Sequence, residues 1–135
     1  MTHLFETNAW LRSVGRIGEL NAVSRALLLD PTKAPFGISA ISVWEVGNKQ
    51  RKRPAALDLG LPFADWLAIA TKPSLIRVFP VDAEIARLAS ALPGSLHDDP
   101  ADRLIVATAI VHQLTILTSD EKILAYAHVQ SLDTR

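Results

Sequence analysis

Four acids in this chain stand where a short apolar run gives way to a helical pattern. Glu6 follows His3-Leu4-Phe5, and Glu45 lies early in the helix that succeeds Phe36–Ser39. Asp102 sits in the first turn of an apolar helix opened by Asp99-Pro100, and Asp120 follows the run Thr115–Leu117. In an open α/β sheet such strand-to-helix transitions converge on one crevice, which would gather these carboxylates. Gathered carboxylates repel, and a shared divalent cation relieves the repulsion. Oxygen ligands suit magnesium, with manganese as the alternative. An ion held this way orients a phosphate and lowers the pKa of an attacking water, so the chemistry indicated is phosphodiester hydrolysis with the acids as ligands.

Each acid also has an ordinary structural role. Ser42-Val43-Trp44-Glu45 has the form of a capping box, unless Ser39 caps the helix and leaves Glu45 deeper inside it. Asp99 reads as an N-cap, Pro100 as the first helical residue, and Asp102 as an acid favoured by the helix dipole. Thr118-Ser119-Asp120-Glu121 is an acceptable helix start. The metal reading rests on the four taken together.

The elements that must position them alternate along the whole chain. Strands are expected at His3–Phe5, Phe36–Ser39, Ile76–Val81, Thr115–Leu117 and Val129–Leu132. Helices are expected over Ala9–Val14, Glu19–Leu29, Ala40–Arg51, Pro62–Thr71, Ala83–Leu92 and from Asp99-Pro100 through Val111, with a short one after Asp120. Pro54 and Pro93-Gly94 act as stops. Buried strands that do not alternate polar and apolar residues, separated by helices, predict a parallel sheet with helices on both faces. Residues 1–135 read as one α/β domain without linker or repeat.

Composition narrows the chemistry. At 135 residues one core suffices. There is no cysteine, which excludes disulfides, thiolate zinc sites and a cysteine nucleophile. Histidines 3, 97, 112 and 128 show no metal-ligand spacing and read as surface or packing residues, His97 being the one placed to approach a substrate. The longest uncharged apolar stretch, Leu104–Val111, is too short to cross a bilayer, and no signal-peptide pattern opens the chain, so the cytoplasm is expected. Lys and Arg total 14 and so do Asp and Glu, so any nucleic-acid contact must come from local patches such as Lys49, Arg51, Lys52 and Arg53. That cluster is equally the usual cationic end of a helix. Trp10, Trp44 and Trp66 read as helix-face packing residues in preference to base-stacking ones. Arg103 is the cation expected nearest the acids, orienting a carboxylate or touching phosphate. No glycine-rich phosphate loop or Ser-His-Asp ordering occurs.

The segments Leu4-Phe5-Glu6-Thr7-Asn8, Ile38–Val46, Asp99–Ala109 and Leu117-Thr118-Ser119-Asp120 resemble, in order and spacing, those of PIN-domain ribonucleases, in particular the VapC toxins of bacterial toxin–antitoxin pairs. The resemblance covers nearly the whole chain. It implies a PIN-like three-layer sandwich and a metal site formed by Glu6, Glu45, Asp102 and Asp120. Thr7 or Asn8 and Thr118 or Ser119 would lend polar support, with Asp99 as the cap. It further implies magnesium or manganese dependence, an RNA substrate, a homodimer, and neutralisation by a cognate antitoxin. The chain departs from the family at position 6, where aspartate is usual. The extra methylene of Glu6 displaces the carboxylate by more than about 1 Å, a misplacement that can cost roughly a hundredfold in rate; two explanations compete, a natural variation accommodated by a backbone shift or an attenuating substitution. The competing expectation is a non-catalytic PIN-like binding module, in which the acids serve only as helix caps.

Overall fold

The computed structural model describes residues 1–135. Five strands form one wholly parallel sheet: β1 His3–Phe5, β2 Phe36–Ser39, β3 Ile76–Phe79, β4 Thr115–Thr118 and β5 Ser131–Asp133, in the spatial order β3-β2-β1-β4-β5. The order reverses at β1, so the carboxyl ends of β1 and β4 border the crevice where such sheets bind ligands. Neighbouring residues on a strand face opposite ways, and the core divides accordingly. Leu4, Phe79 and Ile116 pack under α5 (Ala83–Ser90) and α6 (Pro100–His112) on one face. Phe5, Phe36, Ile38 and Leu117 pack on the other face, with Ala9 and Trp10 of α1 (Thr7–Ser13), Val46 of α3 (Ala40–Lys52) and Trp66 and Ala70 of α4 (Phe63–Ala70). At Gly37, aligned with Leu4 across β1 and β2, an added Cβ would fall 2.8 Å from Phe79 and 2.9 Å from Leu4, so the close approach of these side chains requires glycine.

The expected α/β architecture with helices on both faces is the one observed, and the differences lie at element ends. Helix α1 begins two residues earlier than its apolar spacing suggests, because Glu6 caps it. The stretch 19–29 is not one helix: a 3-10 turn spans Ile17–Glu19, and the Asn21 side chain then accepts from the Ser24 amide to start α2 (Ala22–Leu29). Strand β3 stops at Phe79, before Pro80, and α5 ends at Ser90. Strand β4 runs one residue further, to Thr118. The last strand lies later than expected, because its register on β4 pairs Ile116 with Ser131 and Thr118 with Asp133. Short α7 (Glu121–Leu124) joins them. No helix is long and apolar enough to cross a membrane.

Candidate active site

Glu6 leaves β1 with extended backbone and caps α1. Its Oε2 accepts from the Asn8 amide at 2.9 Å and its Oε1 from the Ala9 amide at 3.4 Å. The buried Thr118 hydroxyl lies 3.5 Å from Oε1 and itself accepts from the Asp120 amide at 3.0 Å. Only 6% of Glu6 is exposed. Burial is the main cause that pushes its carboxyl up to about 7; the charges of Asp102 and Glu45 add to it, and the donating amides oppose it.

Glu45 lies on α3, which is capped by Ser39, whose hydroxyl accepts from the Ile41 amide at 3.1 Å. The capping-box reading from Ser42 therefore fails. Ser42 is wholly buried and pairs with the Thr7 hydroxyl at 2.9 Å, while Thr7 donates to Glu45 Oε1. Thr7 thus links the end of β1 to α3. Glu45 has no capping duty, and burial, then Asp102 and Asp99, raise its carboxyl against the hydrogen bond from Thr7.

Asp99 caps α6, accepting from the Asp102 amide at 2.9 Å, with Pro100 in the first turn as expected. Asp102 is free of capping duty. Burial, then the charges of Asp99 and Asp120, raise its carboxyl, opposed by His97. Asp120 caps α7 through Oδ1, which accepts from the amides of Lys122 at 2.8 Å and Ile123 at 3.2 Å.

Glu6, Glu45, Asp99, Asp102 and Asp120 all line one cavity of about 370 Å³, together with Thr7, Asn8, Trp44, Asn48 and Lys49. The donor set is oxygen throughout, as a hard divalent cation prefers. Burial, with a smaller contribution from the neighbouring acids, raises the carboxyls of Glu6, Glu45 and Asp102. No group of three or more His, Asp or Glu side chains is arranged so as to hold an ion as placed. The residue types and their common cavity fit a metal, while the positions of the side chains stop short of a closed cage.

The remaining expected residues are placed as follows. Arg103 orients no carboxylate: its Nε donates to Ala89 O and its Nη1 to Leu96 O, both at 2.9 Å, so it braces the loop before α6. Of the basic cluster only Lys49 reaches the cavity. Arg51 donates to Asn48 Oδ1 at 2.6 Å, and Lys52 and Arg53 lie outside the cavity lining at the exposed end of α3. Ser119 is also outside the lining and accepts from Arg12 at 3.3 Å. Trp10 and Trp66 pack in the core as expected, but Trp44 is 60% exposed. His97 is more than a surface residue, because its Nε2 meets Asp102 Oδ2 at 2.7 Å. Its place five residues before Asp102, in the loop leading to the cap, is the only sequence signal for that contact.

A five-stranded parallel sheet of this order, with acids gathered at the carboxyl ends of its central strands, defines an α/β fold of the PIN type. The PIN domain matches residues 4–129, and the chain belongs to that family. Within it the chain is VapC-like. It is 36% identical over 93 residues to Ribonuclease VapC22 of Mycobacterium tuberculosis, a stretch covering 69% of this chain and 68% of that protein. The fold is shared with VapBC2 from Rickettsia felis, solved bound to a promoter DNA fragment, at a TM-score of 0.69, 16% identity and full coverage of both chains. It is also shared with DNA-bound VapBC from Salmonella typhimurium (TM-score 0.69, 15% identity, 98% of each chain) and with a toxin–antitoxin complex from Klebsiella pneumoniae (TM-score 0.62, 20% identity, 95% of each).

Proposed function

We propose that this chain is a divalent-metal-dependent endoribonuclease that hydrolyses RNA phosphodiester bonds, and that it is the toxin of a toxin–antitoxin pair. The observation that carries the reading is the convergence of Glu6, Glu45, Asp102 and Asp120 on one cavity at the switch point of the sheet. The likeness to Ribonuclease VapC22 supports the substrate class.

Glu45, Asp102 and Asp120 would hold the ion, with Glu6 as the fourth acid. Bound there, magnesium or manganese supplies Lewis acidity and an ionised water. The protein's own part is positional. Thr7 fixes one oxygen of Glu45, and His97 fixes one oxygen of Asp102. The α1 amides fix Glu6. Lys49, exposed at the cavity edge, offers a cation for the substrate's phosphates.

Solved relatives described as toxin–antitoxin complexes support control by a cognate antitoxin. A homodimer belongs to the same reading, and both partners need apolar surface. Ile69 on α4, 61% exposed at a mostly apolar cavity of about 190 Å³, would contribute such surface, as would Leu29 on α2, 73% exposed.

The test is cleavage of RNA in magnesium, manganese or chelator by the chain and by its Asp102→Asn and Asp120→Asn variants. Metal-dependent cutting that both variants abolish is expected. Cutting that survives both substitutions, or no cutting in either metal, would overturn the proposal and favour a binding module.

A further inference from the structure

We propose that Trp44 and Asn48 form a nucleobase-binding subsite on α3 that takes one unpaired base of a single-stranded RNA beside the carboxylates; this rests on the nuclease reading above. The three tryptophans divide sharply. Trp10 and Trp66 are 0% and 5% exposed with ring centroids 5.1 Å apart, and the Trp10 Nε1–H donates to Ala70 O at 3.1 Å. Trp44 is 60% exposed, has no such partner for its Nε1–H, and is the only aromatic among the large exposed hydrophobic residues. A packing role does not account for an indole placed this way. A base-stacking role does, because every nucleobase offers a π face and stacks on an aromatic side chain without needing sequence-specific hydrogen bonds.

The neighbours of Trp44 suit a base. Asn48 lies four residues on, hence on the same side of the helix, and both line the acidic cavity. Its Oδ1 accepts from Arg51, which leaves both amide N–H groups free to donate to a base acceptor such as a pyrimidine O2 or a purine N7. Lys49 borders this cavity and also a second one of about 240 Å³ that carries Arg12 and Arg16. A strand whose base rests on Trp44 therefore has Lys49 beside its phosphates, Arg16 being paired with Glu19 at 3.4 Å and Arg12 donating to Ser119, and Glu45, which follows Trp44 on α3, faces the same cavity. The polar, charged surroundings favour a nucleotide over an apolar protein anchor.

The experiment measures steady-state cleavage of a short single-stranded oligoribonucleotide in magnesium by the chain and by its Trp44→Phe and Trp44→Leu variants. Both substitutions are at an exposed position, and unchanged thermal midpoints would exclude a folding defect. Trp44→Leu is expected to raise KM about tenfold to a hundredfold, while Trp44→Phe stays within about threefold of the parent. Replacing one nucleotide of the substrate by an abasic residue, position by position, should locate a single site where the parent loses its advantage over Trp44→Leu. As a second readout, the Asp102→Asn chain with magnesium should show quenching of its exposed indole emission when the same oligonucleotide is added, and the Asp102→Asn, Trp44→Leu chain should not. Equal KM for all three proteins together with no quenching overturns the subsite and leaves the nuclease reading standing. So does a Trp44→Leu variant that cuts normally but no longer binds an antitoxin, which would mark Trp44 as a protein contact. A parent chain that neither cuts nor binds RNA overturns both.

Discussion

The Nε2 of His97 lies 2.7 Å from Oδ2 of Asp102, and the His97 Nδ1 is buried without a hydrogen-bond partner. Since an ionised Asp102 can only accept, Nε2 carries the proton, and the imidazole holds the carboxylate in one orientation. Partners of this kind stand behind metal ligands in many sites, and losing one typically costs about 10–100-fold in metal affinity. His97→Ala should weaken manganese binding by about that factor in calorimetric titration, and His97→Gln, which keeps a donor, should restore much of it. Unchanged manganese affinity in the alanine variant would mean that Asp102 needs no such support.

Glu6→Asp should raise RNA cleavage several-fold or more. The shorter acid can still cap α1, since aspartate is among the preferred N-cap residues, so the helix start should survive the change. What changes is the reach of the carboxyl group, and misplacement by about 1 Å can cost roughly a hundredfold in rate. Equal or lower activity in matched magnesium assays would refute attenuation by the glutamate.

Stability of the metal-free chain should fall as pH rises through neutrality. Glu6 titrates near 4.5 when unfolded and at about 7 when folded. Between those values the folded chain holds a proton that the unfolded chain has lost, so ∂ΔG/∂pH for unfolding is negative. The loss from this group is on the order of 3 kcal/mol, complete above pH 7. Glu45 and Asp102 are raised in the same direction, chiefly by burial. Thermal unfolding in chelator should therefore give a higher midpoint at pH 5 than at pH 8, and magnesium at pH 8 should recover part of the difference. A midpoint that climbs from pH 5 to pH 8 in chelator would contradict the raised carboxyls.

Arg103→Lys should destabilise the fold by about 1–3 kcal/mol, because an ammonium cannot span the carbonyls of Ala89 and Leu96 as the guanidinium does. His97 belongs to the braced loop, with its own carbonyl 3.5 Å from Arg103 Nη1, so cleavage should fall too. A shifted urea midpoint with full activity would show that the brace serves folding alone.

The alternation of apolar runs and helical spacing was enough to read the parallel sheet and the positions of all four acids. Periodicity registers burial, and burial is what parallel strands and their covering helices have in common. It does not register who caps whom. The early start of α1 depends on Glu6 reaching two amides, and the break before α2 depends on Asn21, both matters of side-chain hydrogen bonding. The roles of Arg103 and His97 were hidden for another reason. Arg103 follows an acid in sequence yet turns to carbonyls earlier in the chain, and His97 meets Asp102 from the loop that Arg103 contacts. Trp44 misled because an aromatic on a helix usually faces the core, as Trp10 and Trp66 do.

Asp99 and Asp120 serve as helix caps, and asparagine caps a helix about as well as aspartate does. Replacing either by its amide would therefore leave the molecule folding normally while altering the charge of the cavity. Glu45 and Asp102 carry no capping duty, and burial raises both carboxyls, so losing their charge removes a cost of folding at neutral pH. Quality control that senses only misfolding would pass such variants unnoticed. In a lineage no longer under selection for what the cavity does, these carboxylates are among the first features that mutation could erase, and the scaffold would outlast them.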